Sequence, residues 1–335
     1  TVAALPWLAT AFGSDSGRPA PRIVAPHPYR WPNFLKLDNL LNVANQIVVI
    51  AIVAVGMTLV IVTAGIDLSV GSLIAFSAVA STWLISHLGG GPEAGVLAMI
   101  LCCIAAVLLS AFIGLFTGVM VTLFEIPPFI VTLSMMMVTS GLAYMLARGE
   151  SIYQVPDGFI WLGRGTTLPG VPNSVILMLV LYAVAHIIMS RTVFGRYVYA
   201  IGGNAEAARL SGVPVKRILV IVYMVSAALA GLGGVITASQ LKSGSPTYGQ
   251  VYEMYVIAAV VVGGTSLMGG RGRILGTLIG AFIIAVIQNG MNLVGVGSYP
   301  QKVVLGMVIL GAVLFDTVKR RGLARLVSRN ALRHG

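Results

Sequence analysis

The chain has 335 residues, 57% of them hydrophobic and only 9% charged, with 21 Lys and Arg against 10 Asp and Glu for a net charge of +11. A soluble domain carries about 25% charged residues, so the composition excludes a soluble globular protein and points to a polytopic membrane protein. The positive charge does not signal nucleic acid: it sits in short loops and a terminal tail beside apolar spans, the pattern that sets topology at a cytoplasmic membrane face.

Runs approaching 20 apolar residues mark spans. In chain order they fall at 1–12, 40–64, 68–87, 94–123, 128–147, 174–191, 215–240, 252–265, 272–294 and 299–318, which predicts an all-α fold of about ten transmembrane helices in a single domain, 1–335. The first run opens on Thr1 and reads as the remnant of a span that begins upstream. Residues 13–38 follow as an external, proline-rich segment. Asn45 and Gln46 lie near the start of the second span, neutral donors and acceptors inside apolar sequence.

Gly65-Ile-Asp-Leu-Ser-Val-Gly71 interrupts the next two runs. A carboxylate at mid-bilayer costs several kcal/mol, so Asp67 is expected at the cytoplasmic rim, capping the following helix with help from Ser69. Direct contact with a cation or solute is the alternative for this motif of Gly65, Asp67, Ser69 and Gly71. Cys102 and Cys103 are neighbours within an apolar span and read as small packing residues rather than a disulfide. Gly114 and Gly118, Gly231 and Gly234, and Gly276 and Gly280 have the spacing that lets helices approach closely. At Glu125-Ile-Pro-Pro-Phe129 a proline suits the first turn of the following helix. Residues 149–173 form a second external segment rich in turn residues.

The most informative stretch is the polar island 195–217, a cytoplasmic loop holding one very short helix whose ends are both marked. Asn204 caps its start, Ala205, Glu206, Ala207, Ala208, Arg209 and Leu210 form it, and Ser211, Gly212 and Pro214 end it. Glu206 and Arg209 sit one turn apart, each complementing the nearer end of the helix dipole. So short a helix is unstable alone in water, so it must be docked. That is what mechanical coupling to a soluble partner needs.

Gly263-Gly-Thr-Ser-Leu-Met-Gly-Gly-Arg-Gly-Arg273 is a second interruption, read as a close-packed turn. No Gly-Lys-Ser or Gly-Lys-Thr occurs anywhere, so a nucleotide-binding phosphate loop is absent from the chain. Gln288, Asn289 and Asn292 add polar groups to the ninth span and, with Asn45 and Gln46, suit a path for a hydroxyl-rich neutral solute; hydrogen bonding between helices is the alternative. Residues 319–335 are a basic tail. With that tail cytoplasmic, alternation puts 191–217 and 266–273 on the same side. These regions hold thirteen of the 21 basic residues, and both termini are cytoplasmic. No nucleophile–base pair, paired carboxylates or metal-ligand spacing appears, so no catalytic, cofactor-binding or metal-binding residues are assigned.

In order along the chain, Gly65-Ile-Asp-Leu-Ser-Val-Gly71, Glu125-Ile-Pro-Pro-Phe129, Gly202-Gly-Asn-Ala-Glu-Ala-Ala-Arg-Leu-Ser-Gly212 and Gly263-Gly-Thr-Ser-Leu-Met-Gly-Gly270 resemble the permease subunits of ribose-type ABC sugar importers. The resemblance runs from about residue 33 to 320 and implies the vitamin-B12-importer-like (type II) permease architecture in the bacterial inner membrane. It further implies a pair of permease copies, identical or paralogous, an ABC ATPase that carries the ATP and magnesium, and a periplasmic sugar-binding protein. Asn204 to Ser211 would then be the coupling helix. Ribose or a related simple sugar is the implied cargo. A nucleoside, polyol or furanose signal in the same machine, and a stand-alone secondary transporter, are the rivals.

Overall fold

A computed structural model describes the backbone of residues 33–331 and the side chains of 34–314. The 1–12 remnant, most of the 13–38 segment and the side chains of the 319–335 tail therefore lie outside the described residues. The described chain forms α1 (Leu37–Val62), α2 (Val70–His87), α3 (Val96–Leu123), α4 (Pro128–Ala147), α5 (Asn173–Arg191), α6 (Val193–Gly203), α7 (Ala205–Leu210), α8 (Val215–Leu241), α9 (Tyr252–Val262), α10 (Ile274–Leu293) and α11 (Ser298–Ala331). A two-stranded antiparallel hairpin, β1 (Thr166–Leu168) and β2 (Val171–Pro172), lies between α4 and α5. Seven helices, α1 to α5, α8 and α10, are long and apolar enough to cross a membrane, and α9 and residues 298–314 of α11 are shorter apolar helices.

The apolar faces decide who sits inside. α1 is apolar on every side and buried along nearly its whole length, as such a helix must be. It packs against α8, α10, α9 and α5, and the most extensive contact in the molecule is α3 against α8. That crossing is close because small residues face each other: a side chain at Gly114 would meet Ala227 Cβ at 2.4 Å and one at Gly118 would meet Val220 Cα at 2.8 Å. The opposite face of α3 leaves Leu97, Leu101, Ile104, Leu108, Phe112 and Phe116 exposed in one stripe. In water such a stripe would aggregate; against acyl chains it is the expected outer surface.

The expected spans coincide with observed helices except where backbone breaks intervene. α9 has only 11 residues, about 16 Å at 1.5 Å per residue, against a hydrocarbon core of about 30 Å. It is therefore a half-helix rather than the full span expected at 252–265. The chain reaches it from the end of α8 along the flank of α2, with Gly244 beside Thr82 and Gly249 beside Gly71 and Ile74. The 195–217 loop also differs from expectation, since it contains α6 as well as the short helix. Thr192 Oγ1 caps α6 by accepting from Gly195 N, and Val198 and Ile201 are buried one turn apart. Gly195 and Gly202 of α6 serve close packing, against Met189 and Val62. The segment 149–173 folds over the end of the bundle opposite α7, where Ser239 Oγ accepts from Gly163 N at 2.8 Å and donates to Phe159 O at 2.6 Å.

Candidate functional site

The short helix α7 forms as its residues dictate. Asn204 takes an extended conformation and its Oδ1 accepts from Ala207 N at 3.0 Å. At the other end Gly212 adopts φ +85°, and its N–H and that of Val213 close the last turn onto the carbonyls of Arg209 and Ala208. Pro214 then precedes the first turn of α8. Arg209 grips Glu206 with two parallel hydrogen bonds, Nε to Oε2 at 3.0 Å and Nη2 to Oε1 at 2.5 Å. Those bonds hold the Glu206 carboxyl below the usual glutamate range, so the pair stays ionised until the pH falls beneath that range. Docking rests on Ala208, 5% exposed within the core. Asn204 to Ala207 and Arg209 to Ser211 remain exposed, including Leu210 at 76%.

Immediately before α7 the backbone is pinned. Gly202 touches the end of α1 so closely that a Cβ would lie 1.7 Å from Val62 O. Gly270 N donates to that same Val62 oxygen at 2.8 Å, and Tyr199 Oη of α6 donates to Gly272 O at 2.8 Å. The tip of α6, the end of α1 and the 263–273 turn thus meet backbone to backbone. Arg271 and Arg273 lie on that turn, at the same end of the bundle as α7.

The break between α1 and α2 is deeper than expected. Asp67 is 1% exposed and accepts from Ser69 N at 3.0 Å, Ser69 Oγ at 2.6 Å and Ser226 Oγ at 3.0 Å. Ser226 is the twelfth residue of α8, about 16 Å from its start. Asp67 is therefore enclosed within the bundle rather than exposed at its rim. It is not the cap of α2 either: the cap position is Ser69, which makes no side-chain capping bond. Asp67 ties the turn to α8 instead. Gly65 packs under Tyr223, whose Oη a Cβ would meet at 2.5 Å, and Gly71 packs against Gly249 and Glu253.

The polar residues expected along a path are dispersed. Asn45 Oδ1 accepts from Ser174 Oγ of α5 at 2.9 Å and from Gln240 Nε2 of α8 at 3.3 Å. Asn289 and Asn39 exchange reciprocal amide bonds of 2.9 and 3.1 Å between α10 and α1. Asn292 is exposed and accepts from Gln301 Nε2 at 2.7 Å, Gln46 is exposed and Gln288 half-buried. Asn45 and Asn289 thus join helices, while the polar cluster that lines a cavity, Ser72, Ser140, Gln250 and Glu253, escaped the sequence reading. Its one available signal was Glu253, a carboxylate opening an apolar run. No group of three or more His, Cys, Asp or Glu side chains able to hold a metal occurs among the described residues.

Residues 39–315 match the family described as branched-chain amino acid transport system / permease component. The chain is 45% identical over 293 residues to the ribose import permease protein RbsC of Escherichia coli strain K12, covering 86% of this chain and 88% of that protein. It is 45% identical over 290 residues to the protein of the same name from Bacillus subtilis strain 168, covering 86% and 87%. It is 35% identical over 289 residues to the L-arabinose ABC transporter permease protein AraH of Azospirillum brasilense, covering 86% and 83%. No solved structure matches the chain.

Proposed function

The chain belongs to the branched-chain amino acid transport system / permease component family, and from that premise we propose that it is the multi-pass permease subunit of an ATP-driven sugar importer, carrying ribose or a closely related pentose. The cargo follows the relatives, whose names specify ribose and L-arabinose at 45% and 35% identity. The observation that carries the mechanism is α7, a six-residue helix fully capped, docked through Ala208 and otherwise presented outward. Docking and caps, not intrinsic propensity, hold a helix of that length, and they leave its outward face free to meet a partner.

Two copies of the chain would form the translocation unit, with an ABC ATPase binding and hydrolysing ATP against α7 of each copy. This chain contributes no hydrolytic chemistry. Movement of α7 would reach the bundle through Gly202, which bears on Val62 and Gly270 without an intervening side chain. α1, the buried centre, would be displaced as a unit. A periplasmic binding protein would deliver the sugar at the end covered by 149–173, and α7 and both termini would then face the cytoplasm of a bacterial inner-membrane complex, a reading supported by the basic residues near α7.

The test is a mild-detergent pull-down of the tagged full chain from its native membrane. An ATPase with two nucleotide sites per two copies of the chain is the expected result. Recovery of the chain alone, transporting in proteoliposomes without ATP, overturns the reading in favour of a secondary transporter.

A further inference from the structure

Beside the start of α2 lies a cavity of about 460 Å³, lined by Gly71, Ser72, Ser140, Tyr248, Gln250 and Glu253 among others, and open on one side. We propose that this cavity is a station at which a neutral polyhydroxylated solute is held in transit, with Glu253, Gln250, Ser72 and Ser140 bonding its hydroxyls. The inference rests on the importer reading and adds where within the chain the sugar is met.

Depth is the first argument. Ser72 Oγ and Thr139 Oγ1 are 2.5 Å apart, and Thr139 is the twelfth residue of α4, about 16 Å from its start. The cavity therefore lies about half-way along α4, further from its start than the α1–α2 break, where Ile66 O accepts from Oγ1 of Thr132, the fifth residue of α4. Three irregular pieces of backbone converge there: the end of the α1–α2 break, the turn-rich 242–251 segment and the start of the half-helix α9. Irregular backbone at membrane depth is tolerated where it is buried in protein or lines a water-filled cavity, and broken helices at mid-depth are where transporters place substrate. Val251, on the cavity wall, holds φ +69°, a left-handed conformation costly for a β-branched residue.

Chemistry is the second argument. The volume falls within the ~300–1,000 Å³ of small-molecule sites. Among the described residues no Lys or Arg lines the cavity, so none of them would recruit a phosphorylated or carboxylated solute. Glu253 has no ion-pair partner among the described residues, leaving a carboxylate that accepts from two hydroxyls. Gln250 and the two serines both donate and accept. Gly71 keeps the wall open, since a Cβ there would lie 2.2 Å from Glu253 Oε2 and 2.6 Å from Gly249 O. The amides of Asn45 and Asn289, by contrast, already bond neighbouring helices.

The test uses the complete complex of chain, ATPase and binding protein in proteoliposomes, with radiolabelled D-ribose as probe and sugar imported per ATP hydrolysed as readout. Glu253→Gln and the cavity-filling Ser140→Leu should each lower that ratio at least tenfold, and Glu253→Asp should restore part of it. Met145→Ser, on the outward face of the same helix as Ser140 and 77% exposed, should not change it. In a chain with both native cysteines replaced by serine, Ser140→Cys should react with a water-soluble maleimide and be protected by ribose. Wild-type ratios in both Glu253→Gln and Ser140→Leu, or an unreactive thiol at 140, overturn the proposal while the importer stands. Absence of ATP-driven uptake in the wild-type complex refutes the importer reading instead, and thiol reactivity then decides alone whether the cavity is aqueous.

Discussion

Asp67 shows how a single carboxylate is made tolerable inside the bundle. Three donors converge on it, two from Ser69 and one from Ser226 on α8, replacing the water it lacks. Removing one partner from a buried pair costs more than the bond itself, about 1–3 kcal/mol per polar group left unsatisfied. Asp67→Ala orphans several such groups and Ser226→Ala only one bond, so the first should lower the melting temperature in detergent well below the second. The double variant should fall short of the sum, because the two losses share a bond. A wild-type melting temperature for Asp67→Ala would show that the carboxylate is not structural. Burial of Asp67 was not legible in sequence: the help from Ser69 is local, but the third donor, Ser226, lies 159 residues away.

At the scale of the element, α7 was legible nearly to the residue, for the reason that its determinants are local. Cap, helix formers, ion pair and left-handed glycine all lie within nine residues. α6 was not legible, because Gly202 answers to Val62 across the fold and Gly195 to Met189 at the end of α5. α9 was read as a full span because hydropathy records length of apolar sequence and says nothing of the depth at which a helix begins. The ion pair of Glu206 and Arg209 is exposed and screened, so its worth lies in the surface it presents rather than in stability. Arg209→Glu and Leu210→Asp should therefore each cut ATP-driven uptake at least tenfold while leaving the melting temperature of the isolated chain unchanged. Normal uptake after reversing both Glu206 and Arg209 would sink the coupling assignment.

For the whole molecule, hydropathy alone placed the described helices well, since bilayer thickness imposes one length on every crossing. It could not place the polar groups, because an amide that joins two helices and an amide that lines a cavity look alike in sequence. Asp67 is the only fully buried acid or base among the described residues, and the cavity wall holds one carboxylate and no cation. An elementary charge crossing the membrane exchanges about 2.3 kcal/mol with every 100 mV, and a neutral sugar held by fixed groups exchanges none. On the proposed reading, then, sugar import would carry no net charge across the membrane. Clamping a diffusion potential of either sign across proteoliposomes should leave sugar imported per ATP unchanged, and a dependence on polarity would mean that an ion travels with the sugar. A cell whose membrane has been depolarised would keep importing for as long as it had nucleotide left.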